Sequence, residues 1–207
     1  MGLSFHYNGR IADKKLLPRL IEDLEDIAKL HKWKYYILER EFPDELEPSE
    51  MHNQKVYGIF FTPPGCETVF VSFLSNGRMS STLLLEFWGE ATEEPESGYL
   101  YKLSVKTQYA GAEIHKLLMG IFHYLNKQYL IDFNLYDEGD YWEKDDDALL
   151  LRNFNRNAIL IKSFKSVLQS LPIKEDEKPE DYISRIIKEI KHKQHPKKSD
   201  DELPNEE

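Results

Sequence analysis

The stretch TVFVSFLSNGRMSSTLLLEFW, Thr68 to Trp88, decides the predicted fold because it places Asn-Gly between two apolar runs. Asn76 and Gly77 are the residue types that a two-residue hairpin loop favours, since both central positions of that loop have positive φ. In the resulting register, Phe70 faces Leu83. Apolar side chains then cover both faces of the hairpin, which predicts a central place in an antiparallel sheet.

Further strands and helices are predicted on both sides of this hairpin. Aromatic and β-branched runs favour strands at Leu3–Gly9, Trp33–Glu41, Val56–Thr62, Tyr99–Thr107 and Ile131–Asp137. Apolar residues at helical spacing predict helices at Leu17–His31 and Ala112–Tyr129. This order predicts an α+β fold: one antiparallel sheet of about six or seven strands, in β-α-β4/5-α-β order, with helices packed on it.

The C-terminal part of the sequence is predicted to be helical. A long helix is expected from Asp145 to about Leu171, and an amphipathic helix begins at Pro179. We therefore expect residues 1–171 to form a single α+β domain, residues 172–192 a C-terminal amphipathic helix, and residues 193–207 a disordered tail. The second apolar face of the sheet needs a cover, which these helices or the second copy in a homodimer could supply.

Composition and charge exclude several classes of partner. The 207 residues include 27 Lys and Arg against 37 Asp and Glu, for a formal charge of −10. That field repels phosphate backbones and anionic lipids, so we expect neither nucleic acid nor a membrane surface as a partner. The single cysteine, Cys66, favours a reducing compartment, and neither a secretory signal nor a membrane-spanning run is recognisable. These features predict a cytoplasmic protein.

An acidic stretch, YDEGDYWEKDDDALLL, extends from Tyr136 to Leu151 and contains seven acids between Asp137 and Asp147. Its last three aspartates lie at a predicted helix N-terminus, where the helix dipole favours negative charge. The spacing does not match an EF-hand loop, because Gly139 stands in the wrong position. The stretch is interpreted as a solvated turn leading into a helix, and a metal or catalytic site is the alternative.

His115 is the strongest candidate for chemistry. It lies beside the apolar stripe of the helix that begins at Ala112, where a neutral imidazole could bind a metal or act as a base. If the last strand runs antiparallel to that helix, Asp137 and Glu138 return close to it. With Glu143, these residues form a candidate site for a divalent metal, although no cofactor is required. The structural alternative is a boundary histidine hydrogen-bonded to a carboxylate.

A weaker candidate for ligand binding precedes the same helix. Lys106, Gln108, Tyr109 and Gly111 stand at the junction of a predicted strand and a predicted helix. Backbone N–H groups at a helix start can hold an anion, and a lysine nearby would assist. Almost any strand-to-helix junction offers these groups, so a purely structural role is the alternative.

Three segments carry a resemblance to a known family. KTQYAG at residues 106–111, His115 and DEGDYWE at residues 137–143 together resemble an uncharacterised family of bacterial cytosolic proteins, a domain of unknown function. The resemblance implies no activity and no residue roles. The order of elements resembles TATA-binding-protein-like and helix-grip folds, which implies a fold but neither DNA nor lipid binding.

Two functions from different classes remain open. Three acidic loops, at Glu39–Glu50, Glu86–Glu96 and Asp137–Asp147, favour a non-catalytic binding or regulatory protein of the bacterial cytosol. Such a surface could meet a basic protein, as a toxin-neutralising immunity protein does, by steering association electrostatically. The alternative is a metal-assisted hydrolase that uses His115 with Asp137 and Glu138.

Overall fold

The structure is a computed structural model that describes residues 3–43 and 52–194. The described residues form an α+β protein with two antiparallel sheets of three strands each. The chain divides into two compact units, Met1–Phe154 and Asn155–Glu207, and both sheets lie in the first unit. The predicted α+β class is confirmed, whereas the prediction of one sheet of six or seven strands is wrong.

The first sheet is built around the N-terminal strand. β1, Ser4–Ile11, lies between β5, Leu103–Lys106, and β6, Leu130–Asp137, and is antiparallel to both. Phe5 of β1 pairs with the last residue of β6 and is fully buried. Alternate residues of β1 thus point into the core, as the period of a strand requires.

The second sheet contains three strands that are consecutive in the chain. β3, Val56–Thr62, lies between β2, Lys34–Ile37, and β4, Val69–Leu74. Gly58 of β3 has a φ of 126°, and a Cβ at this position would lie 2.5 Å from the carbonyl oxygen of Val71. Only glycine therefore fits this close approach of two neighbouring strands.

Two amphipathic helices cover the sheets and supply much of the core. A short 3₁₀ helix, Lys14–Leu16, leads into α1, Leu17–Leu30, which packs on β3, while α4, Ala112–Gln128, packs on β6. The predicted helices over these residues are confirmed. Burying one leucine or phenylalanine side chain contributes about 1.5–3 kcal/mol. The two helices bury Leu17, Leu20, Ile21, Leu24, Ala28, His115, Leu118, Met119, Ile121, Phe122 and Leu125.

The turn at Asn76 and Gly77 is present, but its geometry differs from the prediction. Gly77 has a φ of 79°, and Asn76 is not among the residues with positive φ. The N–H of Gly77 donates to the carbonyl of Leu74, so a single left-handed glycine follows the turn. As a result Phe73 pairs with Met79, and the predicted register is wrong by one residue.

The second strand predicted for this hairpin is a helix. The side chain of Ser81 accepts the N–H of Leu84 at 3.2 Å and begins α2, Thr82–Trp88. A short helix, α3, Glu96–Tyr99, follows, so the predicted strand over Tyr99–Thr107 is reduced to β5. The serine cap and a leucine run with strong helix propensity outweigh the hairpin signal, and this removes the strand that would have extended the second sheet.

The two sheets are joined at β1 and β4. The Tyr7 hydroxyl donates to the carbonyl of Phe70 at 2.8 Å and accepts the N–H of the same residue at 3.2 Å. Burial raises the pKa of Tyr7 far above its ordinary value, so the phenol stays neutral. Beyond β4, the backbones of Arg10 and Arg78 form an isolated antiparallel bridge.

Up to residue 194, the C-terminal unit contains two helical segments. α6, Asp147–Ser170, begins in the first unit and ends in the second, and α7, Pro179–Gln194, follows. The Arg185 guanidinium holds the carboxylate of Glu177 at 2.9 and 2.7 Å, which ties α7 to the loop before it. Of the helices that the structure describes, none is long and apolar enough to cross a bilayer.

Two predicted segments fall wholly or partly outside the described residues. The predicted disordered tail, 193–207, lies outside them from residue 195 onward, and the acidic loop Glu39–Glu50 lies outside them from residue 44 onward.

Candidate functional site

The structure brings His115 and Asp137 together at the centre of the first unit. His115 lies in the first turns of α4, and Asp137 is the last residue of β6. Nε2 of the imidazole is 3.1 Å from Oδ2 of the carboxylate, and the two residues are 0% and 2% exposed. A strand that runs antiparallel to the preceding helix returns its end to the start of that helix, which is why residues 22 positions apart meet.

A third residue, Thr107, completes a buried chain of hydrogen bonds. Its hydroxyl is 2.8 Å from Nδ1 of His115, and its own side chain is fully buried. An ionised carboxylate can only accept, so Nε2 of the ring carries a proton toward Asp137. The threonine hydroxyl also lies 3.4 Å from the carbonyl oxygen of Leu3, to which it donates, and both ring nitrogens of His115 are occupied inside the protein.

The carboxylate of Asp137 is also surrounded by backbone donors. Its Oδ1 accepts the N–H of Gly139 at 2.7 Å, and its Oδ2 accepts the N–H groups of Tyr141 and Trp142 at 2.8 and 3.1 Å. Burial raises the pKa of this carboxyl, but the hydrogen bond from His115 and the backbone donors outweigh it, so the pKa lies below its ordinary value. Asp137 is therefore held as a buried, ionised acceptor.

Close packing seals this buried pair from solvent. The rings of Phe5 and Phe154 meet the imidazole of His115 edge-on, with centroids 6.1 and 5.7 Å away. A Cβ on Gly139 would lie 3.1 Å from Nε2 of His115 and 2.9 Å from Cδ1 of Leu150. The turn therefore packs directly on the pair, and solvent does not reach the imidazole.

The other predicted members of the metal site lie elsewhere. Glu138 points away from His115: its Oε2 accepts the N–H of Ser4 at 2.8 Å, and its Oε1 is 3.8 Å from the imidazole of His6. Glu143 is exposed in the short helix α5, Tyr141–Lys144. Within residues 3–43 and 52–194, no three His, Cys, Asp or Glu side chains are arranged to hold a metal ion.

The remaining acids of the stretch Asp137–Asp147, called here the aspartate turn, have local structural roles. Asp140 adopts a left-handed conformation and pairs with Lys144 at 3.3 Å. The Asp146 side chain accepts the N–H of Leu149 at 2.9 Å near the start of α6. These contacts explain the acids as turn and helix-start residues.

Two further contacts tie the aspartate turn to its neighbours. Asp147 pairs with Lys116 of α4 at 2.8 Å. Asp145 hydrogen-bonds the Tyr141 hydroxyl and raises the pKa of that phenol to about 12. Asp147 thus anchors this segment against α4, and Asp145 anchors it within itself.

The predicted ligand-binding residues before α4 lie close together but do not converge on one point. The ammonium of Lys106 is 5.9 Å from the ring of Tyr109, which is 71% exposed. Gly111 has a φ of 87° and begins α4. Gln108 has a buried Oε1 without a hydrogen-bond partner in the part of the chain that the structure describes. Their role in binding stays a prediction.

A second acidic region has the opposite environment. It is the segment 83–96, which exposes the side chains of Leu83 and Phe87 and the five glutamates Glu86, Glu90, Glu93, Glu94 and Glu96, and we call it the α2–α3 surface. Leu83 and Phe87 are 56% and 71% exposed and lie four residues apart, on one face of α2. None of its five glutamates forms an ion pair with any described residue.

Sequence reasoning missed Thr107 and the apolar part of the α2–α3 surface. Thr107 lies between Lys106 and Gln108, which are both predicted ligand-binding residues. A buried hydroxyl that contacts a histidine has no local sequence pattern. The sequence pattern places Phe87 in the second strand of the predicted hairpin and does not predict its exposure. Had Ser81 been interpreted as a helix cap, the spacing of Leu83 and Phe87 would have indicated an exposed apolar pair.

Searches against protein-family models, curated proteins and solved structures found no match to this chain. The resemblance to an uncharacterised bacterial family, the TATA-binding-protein-like or helix-grip order and the cytoplasmic location therefore stay predictions.

Proposed function

We propose that this chain is a non-catalytic binding protein whose α2–α3 surface docks on a basic protein that presents an apolar pocket. One observation carries the proposal: Phe87 and Leu83 are exposed on one helix face, in a segment that also exposes five glutamates without an ion-pair partner among the described residues. Exposed aromatic side chains that fill a partner's pocket contribute much of the affinity of protein interfaces.

Charge complementarity identifies the chemistry of the partner. The segment Glu86–Glu96 contains five glutamates and neither Lys nor Arg, in a chain with a formal charge of −10. Such a field accelerates encounter with a positively charged protein and repels acidic ones. Burial of Leu83 and Phe87 in the partner then slows dissociation, because it removes apolar surface from water.

The metal-assisted hydrolase is the second candidate, and the geometry supports it less. The 3.1 Å contact between His115 and Asp137 is the observation in its favour. However, a general base needs a ring nitrogen within reach of a substrate, and both nitrogens of His115 are hydrogen-bonded inside a sealed core. The pair supports a structural role more directly than a catalytic one.

The docking proposal is tested by placing a photo-crosslinking amino acid at Phe87 in living cells. We expect one dominant adduct whose partner has a net positive charge. The same crosslinker at Tyr36, which is 60% exposed on the second sheet, is the matched control and should not yield this adduct. With the purified partner, the association rate should fall steeply as the salt concentration rises.

A charge variant separates specific docking from incidental contact. Replacing Glu86, Glu90 and Glu93 by Gln should slow association and leave the fold intact. An adduct that forms equally well from this variant, or a dominant partner with a net negative charge, would refute the proposal. Formation of the adduct from Tyr36 as efficiently as from Phe87 would refute it as well.

A homodimer formed through the C-terminal unit also stays a prediction. That unit exposes Ile159, Ile173 and Ile183 at 61%, 69% and 55%, and exposed apolar side chains that come together in one patch favour association. Light scattering on the full chain and on a chain that ends before Pro179 would test it. A monomer in both cases would exclude the homodimer.

A further inference from the structure

A basic cavity of about 600 Å³ lies in the first unit, beside the irregular part of β1. Its lining includes Arg10, Arg78 and Lys102 together with one acid, Asp132. Three cations against one carboxylate give it a formal charge of +2, in a chain whose total is −10. Its volume falls within the range of sites that bind small molecules.

The two arginines are held side by side by the backbone. Arg10 and Arg78 are partners in an antiparallel bridge, flanked by hydrogen bonds from Met79 N–H to Gly9 oxygen at 2.9 Å and from Ile11 N–H to Gly77 oxygen at 3.0 Å. Arg10 and Arg78 are thus a non-hydrogen-bonded pair, and side chains lie closer together in such a pair than in a hydrogen-bonded pair of an antiparallel ladder. Like charges directly opposite one another destabilise a sheet, so a compensating negative charge would stabilise this arrangement.

The described part of the chain does not supply that charge as an ion pair. Neither Arg10 nor Arg78 has a carboxylate of any described residue within 4.0 Å, and that includes Asp132 in the same cavity. Glu90 and Glu94 line an adjoining cavity that shares Arg78, Gly98 and Tyr101 with this one, and a Cβ on Gly98 would lie 3.0 Å from Oε2 of Glu94. An anion is therefore favoured in the cavity lined by Arg10 and disfavoured in the cavity lined by Glu90 and Glu94.

Arg78 is oriented before any ligand binds. Its guanidinium carbon lies 3.3 Å from the ring centroid of Tyr101, and the Tyr101 hydroxyl accepts the side-chain amide of Asn76 at 3.2 Å. Stacking on an aromatic ring leaves the N–H edge of a guanidinium available and lowers the entropic cost of binding. The edge of Arg78 is thus preorganised for a planar or tetrahedral oxyanion.

We propose that this cavity binds a small phosphomonoester through Arg10, Arg78 and Lys102. A phosphomonoester is a dianion above about pH 6, which matches the formal +2 of the lining, and guanidinium groups bind phosphate oxygens in pairs. Asn8 and Asn134 also line the cavity; Nδ2 of Asn134 donates to the carbonyl of Asp132 at 3.2 Å, which leaves its Oδ1 as an acceptor for a hydroxyl group of the ester. The volume exceeds what a phosphate ion alone would fill.

The test is a titration of isotope-labelled full-length protein with phenyl phosphate and, separately, with inorganic phosphate at constant ionic strength. We expect saturable NMR shifts of the Gly9 and Gly98 amides, both in the cavity lining. Phenyl phosphate should bind more tightly than inorganic phosphate. Equal affinity for phenyl phosphate and inorganic phosphate would overturn the proposal of an ester ligand and indicate a site for the phosphate ion alone. Lowering the pH from 7.5 to about 5 should weaken binding, because the dianion becomes a monoanion.

Charge variants decide whether the arginine pair carries the site. Arg10→Gln with Arg78→Gln should weaken binding at least about tenfold, since each removes a charge-assisted hydrogen bond. Arg152→Gln, an exposed arginine outside the cavity, makes a change of the same kind and should have no effect. If the double variant fails to fold, Lys102→Gln serves instead and should weaken binding about threefold. Binding that survives the variants, or shifts that spread over the surface without saturating, would overturn the proposal.

Discussion

The aspartate turn and the α2–α3 surface are both acidic, yet the structure uses their carboxylates in opposite ways. In the aspartate turn, Asp137 is buried with His115, and Asp146 and Asp147 bond to the backbone or to Lys116. The five glutamates of the α2–α3 surface face solvent without an ion-pair partner among the described residues. Charge density alone does not distinguish a structural cluster from a recognition surface. What distinguishes them is burial together with the number of donors: His115 and three backbone N–H groups surround buried Asp137, whereas exposed Glu94 accepts the Ser97 hydroxyl at 2.9 Å.

This difference separates stability from recognition. A carboxylate that accepts several N–H groups contributes to folding, and its removal leaves buried donors without partners. An exposed glutamate contributes little to folding but shapes the long-range field. Substitutions in the aspartate turn should therefore lower the free energy of unfolding more than substitutions in the α2–α3 surface.

Removing the carboxylate at the centre of the aspartate turn should have the largest effect. We expect Asp137→Ala to lower the free energy of unfolding by about 3–5 kcal/mol, because it leaves His115 and three backbone N–H groups without their acceptor. Urea denaturation measures the change. Glu93→Ala, in the α2–α3 surface, is the control and should stay within about 0.5 kcal/mol of the wild type. Equal effects of the two substitutions would contradict the contrast between the regions.

Adding one methyl group against the buried pair should have the next largest effect. Gly139→Ala places a Cβ 3.0 Å from Oδ1 of Asp137 and 3.1 Å from Nε2 of His115, so we expect a loss of about 1–3 kcal/mol. Gly120→Ala on α4 is the matched control: a Cβ there meets nothing within 4 Å, and it should stabilise the helix by about 0.5–1 kcal/mol. If Gly139→Ala is as stable as the control, the pair is not closely packed.

Acid should destabilise the protein partly through Asp137. The pKa of this carboxyl is lowered in the folded state, so its contribution is fully present above the unfolded pKa of about 3.9 and is lost as the pH falls through the lower, folded value. Urea midpoints between pH 7 and pH 2.5 should therefore fall more steeply for the wild type than for Asp137→Asn. Other carboxylates are common to both proteins and cancel in the difference. Parallel curves would show that Asp137 is not held ionised.

Neutralising the α2–α3 surface should have the smallest effect on stability. Replacing Glu86, Glu90 and Glu93 by Gln should change the free energy of unfolding by less than about 0.5 kcal/mol, since these side chains are exposed and have no ion-pair partner among the described residues. Urea denaturation of the triple variant checks this expectation. A loss above about 1 kcal/mol would mean that this region also stabilises the fold, and the contrast would fail.

Much of the fold was predictable from local patterns, while the site depended on pairing across the chain. The apolar stripes of α1 and α4 and the alternation in β1 and β3 recur within a few residues, so the sequence displays them directly. The second strand after Asn76 was mispredicted because a leucine run suits a helix as well as a buried strand, and Ser81 decided between them. The contact of His115 with Asp137 is expected from the direction of the last strand. The hydrogen bond of Thr107 to His115 and the position of Glu138 away from His115 are not predictable in this way.

By itself the sequence determined the α+β class, the main helices and the excess of negative charge, because periodicity and composition act within one element or over the whole chain. Only the tertiary structure decided which carboxylates are buried acceptors and which face solvent. It also placed Arg10 opposite Arg78, since neighbours in different strands are set by register rather than by sequence distance. The physical reason is the same in each case: desolvation and hydrogen bonding depend on the atoms that surround a side chain, and folding brings those atoms from distant parts of the chain.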